Sequence, residues 1–139
     1  LSKLDYIIVN HMEPDHSGAL LRIRQLAPNA TFVGMGKAIS MIKDFYCVDD
    51  KVMVVKHEDT LSLGKFTLRF LFTPMVHWPE TMITYLEEEE IMFSCDAFGS
   101  YGSLDGVLFD DEAKDQLPFY EKEALRYYTN IVAGFLREN

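Results

Sequence analysis

Six consecutive residues, His11-Met12-Glu13-Pro14-Asp15-His16, carry four metal-ligating side chains and follow, after Asn10, on the apolar run Tyr6-Ile7-Ile8-Val9. A short β-rich run of that kind reads as a buried strand, and Asn10 ends it, so the four donors leave the end of a strand. Alternation along extended backbone aims residues 11, 13 and 15 roughly one way, while residue 16 turns to the other side where a helix starts. One segment can then serve two neighbouring ions. Pro14 stiffens the loop, and Gly18 lets the backbone turn tightly into the helix. A single His or Asp in such a place is ordinarily a cap or a hydrogen-bonded core residue, and Asp15 ahead of a helix would make an ordinary N-cap. Four donors within six positions are better explained as a metal motif.

Two ions need ligands from elsewhere. His77 lies in Thr73-Pro74-Met75-Val76-His77-Trp78-Pro79-Glu80, between two predicted strands, and Asp96 directly follows the predicted strand 91–95. Donors gathered at several strand ends are a common way for a sheet to hold a rigid site. Imidazole suits zinc, iron and copper alike, but several carboxylates shift the preference toward harder ions such as iron or manganese. A carboxylate can also bridge two cations and offset their repulsion, and Asp96 is the candidate for that bridge.

The rest of the chain predicts an α/β fold. A helix follows Ser17 and stops at Pro28-Asn29; Thr31-Phe32-Val33 is a strand; Gly34 and Gly36 turn into a helix near 37–45. Residues 51–55, 66–72, 82–86 and 91–95 are short β-rich runs and predict an antiparallel meander, with Glu87 to Glu90 as a solvated hairpin turn. Gly99, Gly102 and Gly106 predict a flexible loop, and Glu112 to Arg137 a helix broken at Pro118. Alternation of this kind implies a layered domain with helices covering sheet faces.

Composition excludes other classes. A net charge of −9 without a Lys/Arg stripe excludes a nucleic-acid partner. No apolar run approaches the length of a membrane span, which predicts a cytoplasmic protein with Cys47 and Cys95 as free thiols. The start at Leu1, close to an apolar run, predicts that the chain is cut from something longer.

The pattern His-x-Glu-x-Asp-His resembles the signature of the flavodiiron proteins, members of the metallo-β-lactamase superfamily whose hydrolases have His where this chain has Glu13. NHMEPDHSGAL (10–20), HWPETM (77–82), FSCDAFG (93–99) and RYYTNIV (126–132) resemble that family too. The resemblance implies an αββα sandwich, incomplete in this chain, residues 1–139 being a central segment of the di-iron domain. It implies two iron ions: His11, Glu13 and His77 on the first, Asp15 and His16 on the second, Asp96 bridging. The implied reaction is reduction of O2 to water or of NO to N2O. Electrons come from FMN on a flavodoxin-like domain absent here, supplied by a donor such as rubredoxin, in a head-to-tail homodimer.

One departure stands out. The family pattern has a further His downstream of the bridging Asp, and this sequence has none after His77; His57, beside Glu58 and Asp59, reads as a structural residue in a surface turn. Cys95, by strand alternation, points away from Asp96. Trp78 and Phe98 flank ligands and either line a small gas pocket or pack in the core. Of Tyr127 and Tyr128, helical spacing lets at most one reach the irons. Two other classes fit the same donors: a di-iron oxygen sensor without flavin, and a zinc hydrolase, against which Glu13 weighs.

Overall fold

The computed structural model describes residues 1–103, 106 and 108–134. Two sheets stack. The first is parallel, in the order β1 (Tyr6–Ile8), β2 (Thr31–Met35), β3 (Val52–Val55). The second is an antiparallel meander of β4 (Thr60–Ser62), β5 (Thr67–Phe72), β6 (Met82–Leu86) and β7 (Ile91–Phe93). Helices α1 (Pro14–Ser17), α2 (Leu20–Leu26) and α3 (Gly36–Tyr46) lie between the parallel strands in sequence, and α4 (Asp110–Ala113) and α5 (Leu117–Tyr127) follow the meander.

Strand β2 shows why the layers form. Its alternation sends Phe32 into a core with Val9, Met12, Leu20, Ala38 and Ile42, under the helices. Val33 faces the other way, into a core with Val55, Leu68, Phe70 and Met82 between the sheets. Phe32 and Phe70 are fully buried, each worth roughly 1.5–3 kcal/mol. These are three layers, helix, sheet and sheet, of the expected sandwich.

Four expectations change. The run 51–55 is not part of the meander: β3 pairs parallel to β2, because α3 carries the chain back over the sheet as a βαβ crossover does. Strand β4 was not foreseen, since Thr60-Leu61-Ser62 is short and polar; it pairs with β5. The strand 91–95 stops at Phe93, and Cys95–Phe98 is a 3-10 turn. Pro118 sits in the first turn of α5, where its missing N–H costs nothing, so the break precedes it and α5 runs on into a π-turn at Tyr128–Val132. The end of the expected helix, 135–137, lies outside the described residues.

The two sheets are sewn together at Asn10. Its carbonyl accepts the Met82 N–H at 3.0 Å, its Nδ2 donates to the Phe93 carbonyl at 3.0 Å, and its Oδ1 accepts the Thr84 hydroxyl at 2.6 Å. Thr84 is buried, so Asn10→Ala leaves its hydroxyl unpaired, at a cost of about 1–3 kcal/mol. Chemical denaturation should show that loss as a lower midpoint with unchanged slope.

Candidate metal centre

The seam that Asn10 closes brings the predicted donors together. Immediately after Asn10, His11 is buried, and Glu13 caps α1 without using its side chain, which turns to the site instead. The Thr73–Thr81 loop, which joins β5 to β6, contributes His77. It is drawn tight by Thr73 N–H to the Thr81 carbonyl (3.1 Å), by Met75 N–H to the Trp78 carbonyl (2.8 Å), and by the Thr81 hydroxyl on the Thr73 and Trp78 carbonyls. Asp96 enters from the other side, where Cys95 adopts a left-handed conformation (φ 44°) and the chain leaves β7.

One ligand atom from each of His11, Glu13, His77 and Asp96 lies within 4.8 Å of the others. Glu13 Oε2 is 3.2 Å from His11 Nε2 and 3.0 Å from His77 Nε2. Asp96 Oδ2 is 3.6 Å from His11 Nε2 and 3.4 Å from His77 Nε2. His16 Nε2 is 3.0 Å from Asp96 Oδ1 and 3.1 Å from Oδ2, and lies 3.7 Å from Asp15 Oδ2. Asp96 therefore stands between two groups: His11, Glu13 and His77 on one side, Asp15 and His16 on the other.

Asp15 is not an N-cap. It lies within the first turn of α1, largely exposed, and its Oδ1 accepts the His16 N–H. Gly18 continues the helical backbone from α1, and a Cβ there would approach the Pro14 carbonyl oxygen at 2.7 Å. Close contact, not a left-handed turn, is what requires glycine.

Among the described residues no lysine or arginine pairs with these carboxylates; their ionic partners are imidazoles alone. Three acids and three imidazoles gather here, a donor set that could hold a cation. The mixture of hard carboxylate and borderline imidazole donors fits iron.

A buried carboxylate that the sequence did not single out stands behind the site. Glu80, fully buried, has Oε1 2.9 Å from His11 Nδ1 and accepts the Met12 N–H at 2.9 Å. The signal for it was weak: a lone acid ahead of the buried run Thr81-Met82-Ile83. Burial opposes a charge on His11, yet Glu80, with Glu13 and Asp96, holds the imidazole pKa above its ordinary value. Burial likewise opposes the Glu80 charge, and His11 with the Met12 N–H outweighs it and holds the carboxyl below its usual range.

The flanking residues separate. Trp78 stands edge-on to His11 and His77, with ring centroids at 5.4 and 6.4 Å. Phe98 is exposed, against the expectation of a gas-pocket wall or core residue. Tyr127 lines the cleft with Glu13, Asp15, His77 and Asp96, while Tyr128 does not. Burial, then the charges of Asp96 and Glu13, push the Tyr127 phenol up to about 12, so it stays a neutral donor. Cys95, no longer on a strand, has its thiol 3.8 Å from the Met82 carbonyl, and burial pushes its pKa up. His57 lies in a turn where its Nδ1 accepts the Phe72 N–H, as a structural residue would. The Glu87–Glu90 turn is where it was expected, with Glu87 paired to Arg69.

Fold and donors together define a metal-binding protein of metallo-β-lactamase-like build. The chain belongs to the flavodiiron proteins of that superfamily, and the model of the "ODP family beta lactamase" matches residues 1–130. It is 40% identical over 134 residues to a nitric oxide reductase of Moorella thermoacetica, covering 96% of this chain and 33% of that protein. It is 42% identical over 139 residues to an anaerobic nitric oxide reductase flavorubredoxin of Klebsiella pneumoniae, covering 99% of this chain and 28% of that one. In structure it is similar to the flavodiiron protein of Giardia intestinalis (TM-score 0.84, 32% identity, 94% of this chain and 31% of that chain). It is similar too to rubredoxin oxygen:oxidoreductase from Desulfovibrio gigas (TM-score 0.80, 31% identity, 94% and 32%). The chain spans about a third of the length of these relatives.

Two outcomes are expected. Protons and metal would compete for His11 Nε2, and the raised His11 pKa shifts that competition above the usual histidine value. Metal affinity should therefore fall as pH drops through this pKa and be stronger at pH 8 than at pH 6, values chosen to bracket the usual histidine pKa of about 6.5, as read by chelator competition. Gly99 is the second case: a Cβ there would lie 2.6 Å from the Tyr127 ring. Gly99→Ala should displace the ring, cost about 1–3 kcal/mol of stability and change the near-ultraviolet circular dichroism.

Proposed function

We propose that this chain is the central, metal-holding part of a di-iron oxidoreductase that reduces NO to N2O, O2 to water, or both. The observation that carries the reading is the convergence of His11, Glu13, His77 and Asp96 within 4.8 Å. On this reading His11, Glu13 and His77 would hold the first iron and Asp15 and His16 the second, with Asp96 shared between them. The sequence has no His after His77, so the second ion's set is one imidazole short within these residues. When bound, a ferrous pair supplies two adjacent electron sources with open positions for a diatomic gas.

The chain's own residues do the rest. Glu13 and Asp96 fix the spacing of the imidazoles and offset the charge of the ions. Tyr127, neutral at working pH, offers an O–H to whatever occupies the cleft beside Asp96. Trp78 packs edge-on against the two imidazoles and would help hold them in place.

The electrons would come from FMN bound outside these residues and ultimately from a rubredoxin-type donor, since the relatives named above are a flavorubredoxin and a rubredoxin oxygen:oxidoreductase. Exposed apolar residues support a longer protein: Ile91, Met92 and Phe93 on β7, and Phe98, Leu108 and Phe109 beyond it. A cleft lined by Ile8, Leu63, Phe66, Leu86 and Phe93 opens beside them. A head-to-tail homodimer is part of this reading. Among the described residues no helix is long and apolar enough to cross a membrane, and Cys47 and Cys95 are free thiols, which suits the reducing cytoplasm.

The test is gas consumption by the intact protein, iron-loaded and supplied with reduced flavin. Consumption of NO or O2, with Asp96→Ala lowering it by roughly 10- to 100-fold as when a metal-orienting group is lost, is the expected result. Consumption of neither gas, or two zinc ions with hydrolytic turnover, would overturn the reading.

A further inference from the structure

Glu80 has a cost that packing does not explain. A carboxylate with no exposed surface loses several kcal/mol of hydration, and Oε2 is buried with no hydrogen-bond partner. Met or Leu would fill the same space without that penalty. What Glu80 gains is one oxygen, Oε1, bonded both to the Met12 N–H and to His11 Nδ1, each at 2.9 Å. The backbone bond fixes where that oxygen sits, and the oxygen then fixes the imidazole.

We propose that Glu80 is a positioning residue for the metal centre, and that through it the loop between β5 and β6 sets both imidazoles of the first metal position. Accepting a hydrogen from His11 Nδ1 locks the tautomer and leaves the lone pair on Nε2, the atom that faces Glu13 and Asp96. The same loop supplies His77 directly, three residues before Glu80, and Trp78 touches both rings edge-on. Met82 N–H on the Asn10 carbonyl anchors the loop's end beside the strand that leads to His11. A carboxylate behind a ligating imidazole also makes it a stronger donor, which stabilises the oxidised metal.

This rests on the di-iron reading. The experiment compares the intact, iron-loaded protein with E80Q and E80M. Each is assayed by chelator competition, by redox titration of the iron, by the electron paramagnetic resonance signal of the half-reduced pair, and by thermal unfolding without metal. E80Q keeps the shape and a neutral acceptor. Iron affinity should fall about 10- to 100-fold, the reduction potential should rise and the resonance signal should shift, whatever the unfolding midpoint does. E80M should lose more affinity than E80Q. Wild-type affinity, potential and signal in E80Q would overturn the role of Glu80 while leaving the di-iron reading intact. A wild-type protein that binds no iron would overturn both.

Discussion

The seam between the two sheets is the constraint on which the rest depends. The parallel sheet delivers His11, Glu13, Asp15 and His16 from one strand end, and the antiparallel sheet delivers His77 and Asp96 from two others. They meet where Asn10 is hydrogen-bonded at once to β7 through Phe93 and to β6 through Thr84 and Met82. Glu80 adds a second stitch one residue further on, from the β6 side to His11 and Met12. A donor set taken from two sheets is as rigid as the join between them.

The join also explains the electrostatics. Carboxylates crowd Nε2 atoms at 3.0–3.6 Å, and no lysine or arginine among the described residues relieves them. A bound cation would balance this cluster in place of imidazole protons, which would link ion binding to the stability of the seam. Asp96 is central because it faces all three imidazoles: Oδ2 lies 3.6, 3.4 and 3.1 Å from Nε2 of His11, His77 and His16, and Oδ1 lies 3.0 Å from His16 Nε2.

Much of this was legible in sequence because the donors are local. Four ligand types in six residues at a strand end, then His77 and Asp96 at two more, point to one site without any knowledge of packing. The fold was legible where periodicity was strong, as in 31–33 and 82–86. It failed where a run has no direction of its own: Val52 to Val55 reads alike in a parallel or an antiparallel sheet, and only the intervening helix α3 marks it as a crossover. Thr60 to Ser62 carried too little apolar character to register. Glu80 was hidden for another reason. Its importance lies in complete burial and in a bond across 69 positions of sequence to His11, and neither is visible from its neighbours.

The central claim is that the two sides of Asp96 each hold iron. Anomalous scattering measured at the iron edge from crystals of the intact protein tests it most directly. The account predicts two iron peaks flanking the Asp96 carboxylate, one beside His11, Glu13 and His77 and one beside Asp15 and His16. A single peak away from Asp96, or scattering at the zinc edge alone, would contradict it.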